Sequence, residues 1–317
     1  MKRAFVTGGS GFVGRRLIGE LTARAIPVAA LARSETAAIA VRVAGAEPVR
    51  GDLDDVSALA EGMQGADVVF HAAAHVKQHG ALAQFMAINV RGTENVIAAA
   101  RATGVRRFVH VGTEAVLVDG QPLVQVDETR PYPAKPVGPY PHTKALAEAA
   151  VLAANSVGLE TVVVRPRFIW GKGDTSLLPQ LVDAVKRKRF GWIGGGRYLT
   201  STCNVANVIE GALLAAEVGR PGEIYFLTDG EPIELRTFLS SLLATQGIDA
   251  GNREIPRWLA RTTATLTGWM KEPPVTRTAL ALMGTEVTVD DRKARRELGY
   301  VGKMSREAGL AEMRAPA

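Results

Sequence analysis

The sequence predicts a doubly wound α/β fold, a parallel sheet covered by helices on both faces, with a smaller, interleaved C-terminal part. Short apolar runs alternate with longer stretches of helical periodicity through the first half of the chain, a rhythm that calls for right-handed crossovers between parallel strands. A glycine-rich turn, Gly8-Gly9-Ser10-Gly11, joins the first run to the first periodic stretch. With 317 residues, 47% of them hydrophobic, the chain has ample length to bury a core.

The elements follow in order. A basic start, Met1-Lys2-Arg3, leads into a strand over 3–7, and glycines interrupt its apolar run too early for a signal peptide. Further strands are expected at 27–32, 47–50, 68–72, 107–111 and 161–165, where the apolar runs are short. Between them the helical period predicts helices at 11–24, 35–44, 56–63, 82–103 and 139–157. Beyond 165 the rhythm loosens as Pro, Gly and Trp become more frequent. Helices at 177–188, 204–218 and 235–244 and one more strand at 223–228 are expected there.

Composition narrows the function. At 22% charged residues the chain lies in the ordinary globular range, away from disordered sequences. Its 38 basic and 32 acidic residues leave a net charge of +6, dispersed apart from Lys186-Arg187-Lys188-Arg189 and Arg292-Lys293-Ala294-Arg295-Arg296. Both clusters read as solvated helix faces, so no nucleic-acid partner is expected. Cys203 is alone, which excludes an internal disulfide, gives no zinc set and fits a reducing compartment. No run reaches the ~18 apolar residues of a spanning helix. A soluble, cytoplasmic protein is the expectation, with contact to a membrane surface left open.

The glycine turn points to a dinucleotide. Gly8, Gly11 and Gly14 stand between strand and helix, the context in which such a turn brings backbone N–H groups to a pyrophosphate. Ser10, Phe12 and Val13 belong to the same loop. The second strand ends in Arg33-Ser34 with no acid to receive ribose hydroxyls, and a guanidinium there suits a 2′-phosphate. NADP(H) is therefore expected over NAD(H). Asp52-Leu53 follows the third strand, as an adenine contact or as an ordinary turn. Ala72 and Ala73 end the fourth strand with small side chains that let a cofactor cross.

Tyr140 and Lys144 are spaced to share one helix face. A cation near a phenol lowers its pKa toward the working range of a base. Thr113 ends the fifth strand, where its hydroxyl either caps the strand or holds a substrate oxygen. Asn89 lies within the fourth helical stretch.

Thr7–Gly14, Asp52-Leu53, His71–Ala74, Asn89–Thr93, Thr113, Tyr140 with Lys144, and Arg165-Pro166 resemble the extended short-chain dehydrogenase/reductases in order and spacing. The resemblance implies a Rossmann domain over 1–168 with returning segments at about 200–229, and a substrate-binding cap over 169–199 and 230–317. It implies Tyr140 as acid/base, Lys144 as its tuner and ribose contact, Thr113 as hydroxyl partner, Asn89 in a proton relay and Pro166 beside the cofactor. Gly112 departs from the family, whose members often carry a hydroxyl there. Arg165–Asp174 and Pro273–Arg277 look most like the 3β-hydroxysteroid dehydrogenase branch, which includes decarboxylating sterol dehydrogenases and 2-alkyl-3-ketoacid reductases.

The expected activity is hydride transfer between a nicotinamide and a secondary alcohol or ketone of a small lipophilic substrate: a 3β-hydroxysteroid, a sterol (with loss of a 4-carboxylate) or a β-hydroxy or β-keto acid. A nucleotide-sugar epimerase or dehydratase with retained NAD, and a non-catalytic dinucleotide sensor, are the alternatives. Trp170, Phe190, Trp192 and Tyr198 are expected to wall an apolar substrate pocket or to form the core of the cap. Segment 255–271 places Trp258, Leu259, Leu266, Trp269 and Met270 on roughly one helical side, for a membrane interface, the protein's own body or a second copy in a homodimer to cover.

Overall fold

A computed structural model describes residues 1–76, 80–267, 270 and 275–314. The first half runs β1 (Ala4–Thr7), α1 (Phe12–Ala23), β2 (Val28–Ala32), α2 (Glu35–Val43), β3 (Glu47–Arg50), α3 (Val56–Met63), β4 (Val68–His71), α4 (Leu82–Phe85), a π-helical turn (Met86–Arg91), α5 (Gly92–Ala102), β5 (Arg107–Val111), a 3-10 turn (Glu114–Leu117), β6 (Leu123–Val126), α6 (Pro139–Ala153) and β7 (Glu160–Pro166). The second half runs β8 (Ile169–Trp170), α7 (Leu177–Lys186), β9 (Trp192–Ile193), β10 (Leu199–Thr200), β11 (Cys203–Asn204), α8 (Val205–Val218), β12 (Ile224–Leu227), β13 (Ile233–Glu234), α9 (Leu235–Ala244), β14 (Glu254–Ile255), α10 (Arg257–Leu266), α11 (Arg277–Met283), β15 (Val287–Val289), α12 (Arg292–Leu298) and α13 (Arg306–Arg314).

Seven strands form the main sheet in the order β12-β7-β5-β4-β1-β2-β3, every neighbouring pair parallel. This is a Rossmann-like α/β fold. Leu17, Ile18, Val41 and Val208 pack against one face and Leu59, Met63, Val96 and Val151 against the other, so β1, β2 and β4 are buried throughout. After β3 the chain crosses to β4 on the far side of β1, and the strand order reverses there. At such a switch point the carboxyl ends of the strands open a crevice.

Three departures from the sequence reading have local causes. The helix expected over 82–103 is broken by the π-helical turn, within which Asn89 is buried and its carbonyl accepts the Thr93 hydroxyl at 2.6 Å. The helix expected to reach 157 stops at Ala153, before a bridge between Ser156 and Leu159. Strand β6 is unexpected, because Val124 and Gln125 face water and leave no apolar run.

The two parts are also more interleaved than the expected division at 168, 199 and 229. Strand β6 joins the sheet β13-β10-β15-β6. In return, Ala294, Leu298 and Tyr300 fill the core beside the main sheet.

Candidate active site

The crevice at the switch point is a cavity of about 690 Å³ running from the glycine turn to the cap. Gly8 takes φ +72°, and a Cβ there would stand 2.7 Å from the Ala73 nitrogen. A Cβ on Gly14 would stand 2.1 Å from the Gly8 carbonyl oxygen, so turn and helix can pack only as glycines. Helix α1 has no side-chain cap, which leaves its first N–H groups facing the cavity that Phe12, Val13 and Gly14 line. This donor set fits a dinucleotide pyrophosphate.

Ser34 excepted, every cofactor residue expected from the sequence lines the cavity. Ser34 is engaged elsewhere, since its Oγ accepts the Ala37 N–H at 3.2 Å and caps α2. Arg33 is exposed at the cavity rim with no acid paired to it among the described residues. Asp52 Oδ1 accepts the Leu53 N–H at 2.8 Å.

Beneath the crevice a hydrogen-bond chain fixes the strand ends. The Thr93 hydroxyl donates to the Asn89 carbonyl, so it accepts from His71 Nε2 at 2.8 Å. Nδ1 of His71 is then an acceptor for the Thr7 hydroxyl at 2.7 Å, and Thr7 Oγ1 takes the Ala73 N–H at 3.4 Å. Burial, and the Lys144 charge after it, push His71 down to about 3, so the ring is neutral.

Helix α6 begins at Pro139 after Gly138, whose φ of +86° turns the chain and whose missing Cβ leaves room for the Thr278 hydroxyl. Its first turn carries Tyr140, and Lys144 follows on the same face. Lys144 Nζ donates to the Val111 carbonyl at 2.9 Å and to His110 Nε2 at 3.1 Å. Burial lowers its pKa to about 8, against the pull of the Glu148 carboxylate. Tyr140 lines the cavity together with Thr113 and Glu114. Contrary to the sequence expectation, its pKa is raised: burial and then the Glu114 carboxylate outweigh the Thr113 hydroxyl, and the phenol stays protonated at neutral pH.

Thr113 is a cap residue that also reaches the cavity. It caps the 3-10 turn by accepting the Ala115 N–H at 3.2 Å. Asn89 lies behind the wall. Its side chain accepts the His75 N–H at 2.6 Å and donates to Thr143 Oγ1 at 3.1 Å, tying the π-helical turn to the start of α6.

The aromatic pocket is a correction. Trp170, Trp192 and Tyr198 fill the core of the cap and do not line the cavity. Their polar tips are satisfied inside it, Trp170 Nε1 by Asp229 at 2.7 Å and Trp192 Nε1 by the Gly251 carbonyl at 2.8 Å, while the Tyr198 hydroxyl meets the Met283 carbonyl. The cap side of the cavity is walled instead by Phe168, Leu177, Gln180, Ala279, Leu282 and Met283. Two charged wall residues escape sequence reasoning altogether, Glu114 and Arg167.

In α10, Ala260 and Ala264 face the body while Trp258, Leu259 and Leu266 are exposed. Trp269 and Lys271 lie outside the described residues, as do Pro273 and Pro274. No helix among the described residues is long and apolar enough to cross a membrane, and no group of acidic, His and Cys side chains there could hold a metal.

A model of the 3-beta hydroxysteroid dehydrogenase/isomerase family matches residues 5–257. A ketoreductase of Stigmatella aurantiaca, named for 4-hydroxy-2-methyl-3-oxo-4-farnesyl-3,4-dihydroquinoline-1-oxide, is 56% identical over 98% of this chain and 96% of its own. The 2-alkyl-3-oxoalkanoate reductase of Stenotrophomonas maltophilia is 35% identical over 99% and 98%. A solved structure of the Streptomyces venezuelae dTDP-glucose 4,6-dehydratase DesIV, a double mutant with NAD and DAU bound, is similar at a TM-score of 0.79 and 25% identity, over 98% of this chain and 95% of that one.

Proposed function

The chain belongs to the 3-beta hydroxysteroid dehydrogenase/isomerase family of NAD(P)-dependent oxidoreductases that act on hydroxyl and keto groups, and on that premise we propose that it reduces the ketone of a lipophilic ring compound bearing an isoprenoid or alkyl chain. Full-length identity of 56% to a ketoreductase carries the direction. Tyr140 lines the cavity, and its phenol, whose pKa is raised by burial and then by the Glu114 carboxylate, suits the proton donor that reduction needs.

The glycine turn, with Asp52, Ala72, Ala73 and Lys144 lining the crevice, would hold a reduced nicotinamide cofactor, whose chemistry when bound would be hydride donation to a carbonyl carbon. Tyr140 gives its proton to the carbonyl oxygen, and Thr113 orients that oxygen. Lys144, held on the Val111 carbonyl, keeps a positive charge on the same helix face and favours the phenolate left behind. Asn89 positions Tyr140 by fixing the first turn of α6 through Thr143. Arg33 at the rim supports NADP(H) over NAD(H). The apolar wall of α7 and α11 suits a hydrocarbon chain, and full-length identity of 56% to a reductase of a farnesylated ketone supports that substrate class.

Nicotinamide absorbance during turnover tests the reading. Consumption of NADPH with a prenylated bicyclic ketone is the expected result. Turnover of a nucleotide sugar without net absorbance change would replace it with an epimerase or dehydratase, and faster oxidation of a 3β-hydroxysteroid than reduction of any ketone would return the substrate to the steroids.

On the same reading the outward apolar side of α10 meets the lipid phase that holds such a substrate. Flotation with anionic vesicles, lost in a Trp258 and Leu266 double alanine variant, is expected. No flotation of the parent protein would end the idea.

A further inference from the structure

Glu114 and Arg167 form an ion pair within the cavity wall, Arg167 Nη1 to Glu114 Oε1 at 2.7 Å, each side chain 3% exposed. Arg167 is held from its other end, where Nη2 donates to the Leu282 carbonyl at 2.7 Å and to Thr200 Oγ1 at 3.2 Å. Its Nε is buried and without a hydrogen-bond partner among the described residues. A buried ion pair contributes little net stability, and a buried N–H left unpaired costs more. Such a pair in a cavity wall is better explained by a ligand.

Thr113 shows which ligand. Its hydroxyl carries one proton, and that proton goes to Glu114 Oε2 at 2.9 Å. The Thr113 oxygen accepts from the Ala115 N–H, and with its proton on Glu114 it has none to offer a substrate ketone. A hydroxyl on the carbon beside the ketone changes this. Its O–H replaces Thr113 on Oε2, its oxygen faces Arg167, and Thr113 turns its proton to the carbonyl oxygen. Oxygens on neighbouring carbons stand about one hydrogen-bond length apart, as the oxygens of Thr113 and Glu114 do.

We propose that Glu114, anchored by Arg167, is a specificity-determining residue that recognises a hydroxyl α to the ketone, so that the enzyme takes α-hydroxyketones in preference to plain ketones and to β-ketocarboxylates. A substrate carboxylate would be set against the carboxylate of Glu114, whose partner charge is already matched. This inference rests on the ketone reduction proposed above.

The test compares 1-geranyl-1-hydroxy-2-tetralone with 1-geranyl-2-tetralone, in turnover with NADPH and in calorimetric binding to the NADP-loaded protein. The parent enzyme is expected to favour the hydroxyketone by about tenfold or more in kcat/KM, the effect of one charge-assisted hydrogen bond. Glu114→Gln, which also touches Tyr140 and Thr113 and so changes turnover of both ketones, loses that preference by slowing the hydroxyketone about tenfold more than the plain ketone. Glu114→Asp, which keeps the charge for Arg167 but withdraws the carboxylate, loses it too and covers the case in which the glutamine variant fails to fold. Equal handling of the two ketones by the parent, or an undiminished preference in both variants, overturns the proposal. If neither ketone is reduced, the ketone-reduction reading fails, and the calorimetry still decides this site: tighter binding of the hydroxyketone that depends on Glu114 supports it, and equal binding overturns it.

Discussion

A Cβ on Gly112 would stand 2.8 Å from Oε2 of Glu148. The carboxylate has no room to retreat, since Arg165 grips it through Nε and Nη2 and it accepts the Tyr132 hydroxyl at 2.6 Å. Val163 Cγ1 at 3.0 Å closes the other side. The glycine that departs from the family pattern is therefore the space this buried pair occupies. Gly112→Ser is expected to cost about 1–3 kcal/mol by overpacking and by displacing the pair. Urea unfolding would show a lower midpoint at unchanged m. A serine variant as stable as its parent would show that Glu148 has another place to go.

Lys144 makes activity and stability move in opposite directions with pH. Burial holds its ammonium at about 8 rather than the usual 10.5. Ketone reduction, which uses the charge, is expected to fall as pH rises through about 8. From there toward 10.5 the unfolded chain still carries a proton that the folded one has lost, so unfolding becomes harder. A profile of kcat/KM with parallel urea titrations checks both signs. The activity limb is expected to vanish in Lys144→Met, along with about a hundredfold of rate.

The buried histidines act at the acid end. Burial, then neighbouring charge, keeps His71 and His110 neutral in the folded protein, His71 down to about 3. Unfolded histidines take up protons below about 6.5. Each is therefore expected to remove about 1.4 kcal/mol of stability per pH unit below that point. Unfolding free energies at pH 7.5, 6 and 5 would fall steadily. A flat profile would mean that one or both rings charge in place.

The main sheet is legible in the sequence because its inner strands are short runs buried on both faces, which fixes their composition locally. Strand β6 is not, since half of it faces water and its partner β15 lies far along the chain. The glycine turn and the Tyr140 and Lys144 spacing are legible for the same reason of locality. Glu114 and Arg167 are 53 residues apart and become a feature only when the chain folds. Trp170 and Trp192 are left between pocket wall and core by the sequence because an aromatic side chain suits either equally. What decides between them is a partner for the indole N–H, and Asp229 and Gly251 each stand 59 residues away. The raised pKa of Tyr140 has a similar origin, because the spacing reveals the lysine and hides the carboxylate.

The proposed preference for NADP(H) rests on Arg33. With Ser34 engaged in capping α2, the guanidinium at the rim is the group left to meet a 2′-phosphate, and no acid there neutralises it among the described residues. A charge-assisted pair of this kind, partly open to water, is worth about 1–2 kcal/mol. Arg33→Ala is therefore expected to lower kcat/KM for NADPH by about tenfold while leaving that for NADH nearly unchanged. Because the contact is electrostatic, the parent enzyme's preference should also shrink as salt rises from 0.05 to about 0.5 M. A preference that is indifferent to both the substitution and the salt would move recognition of the phosphate away from the rim of β2.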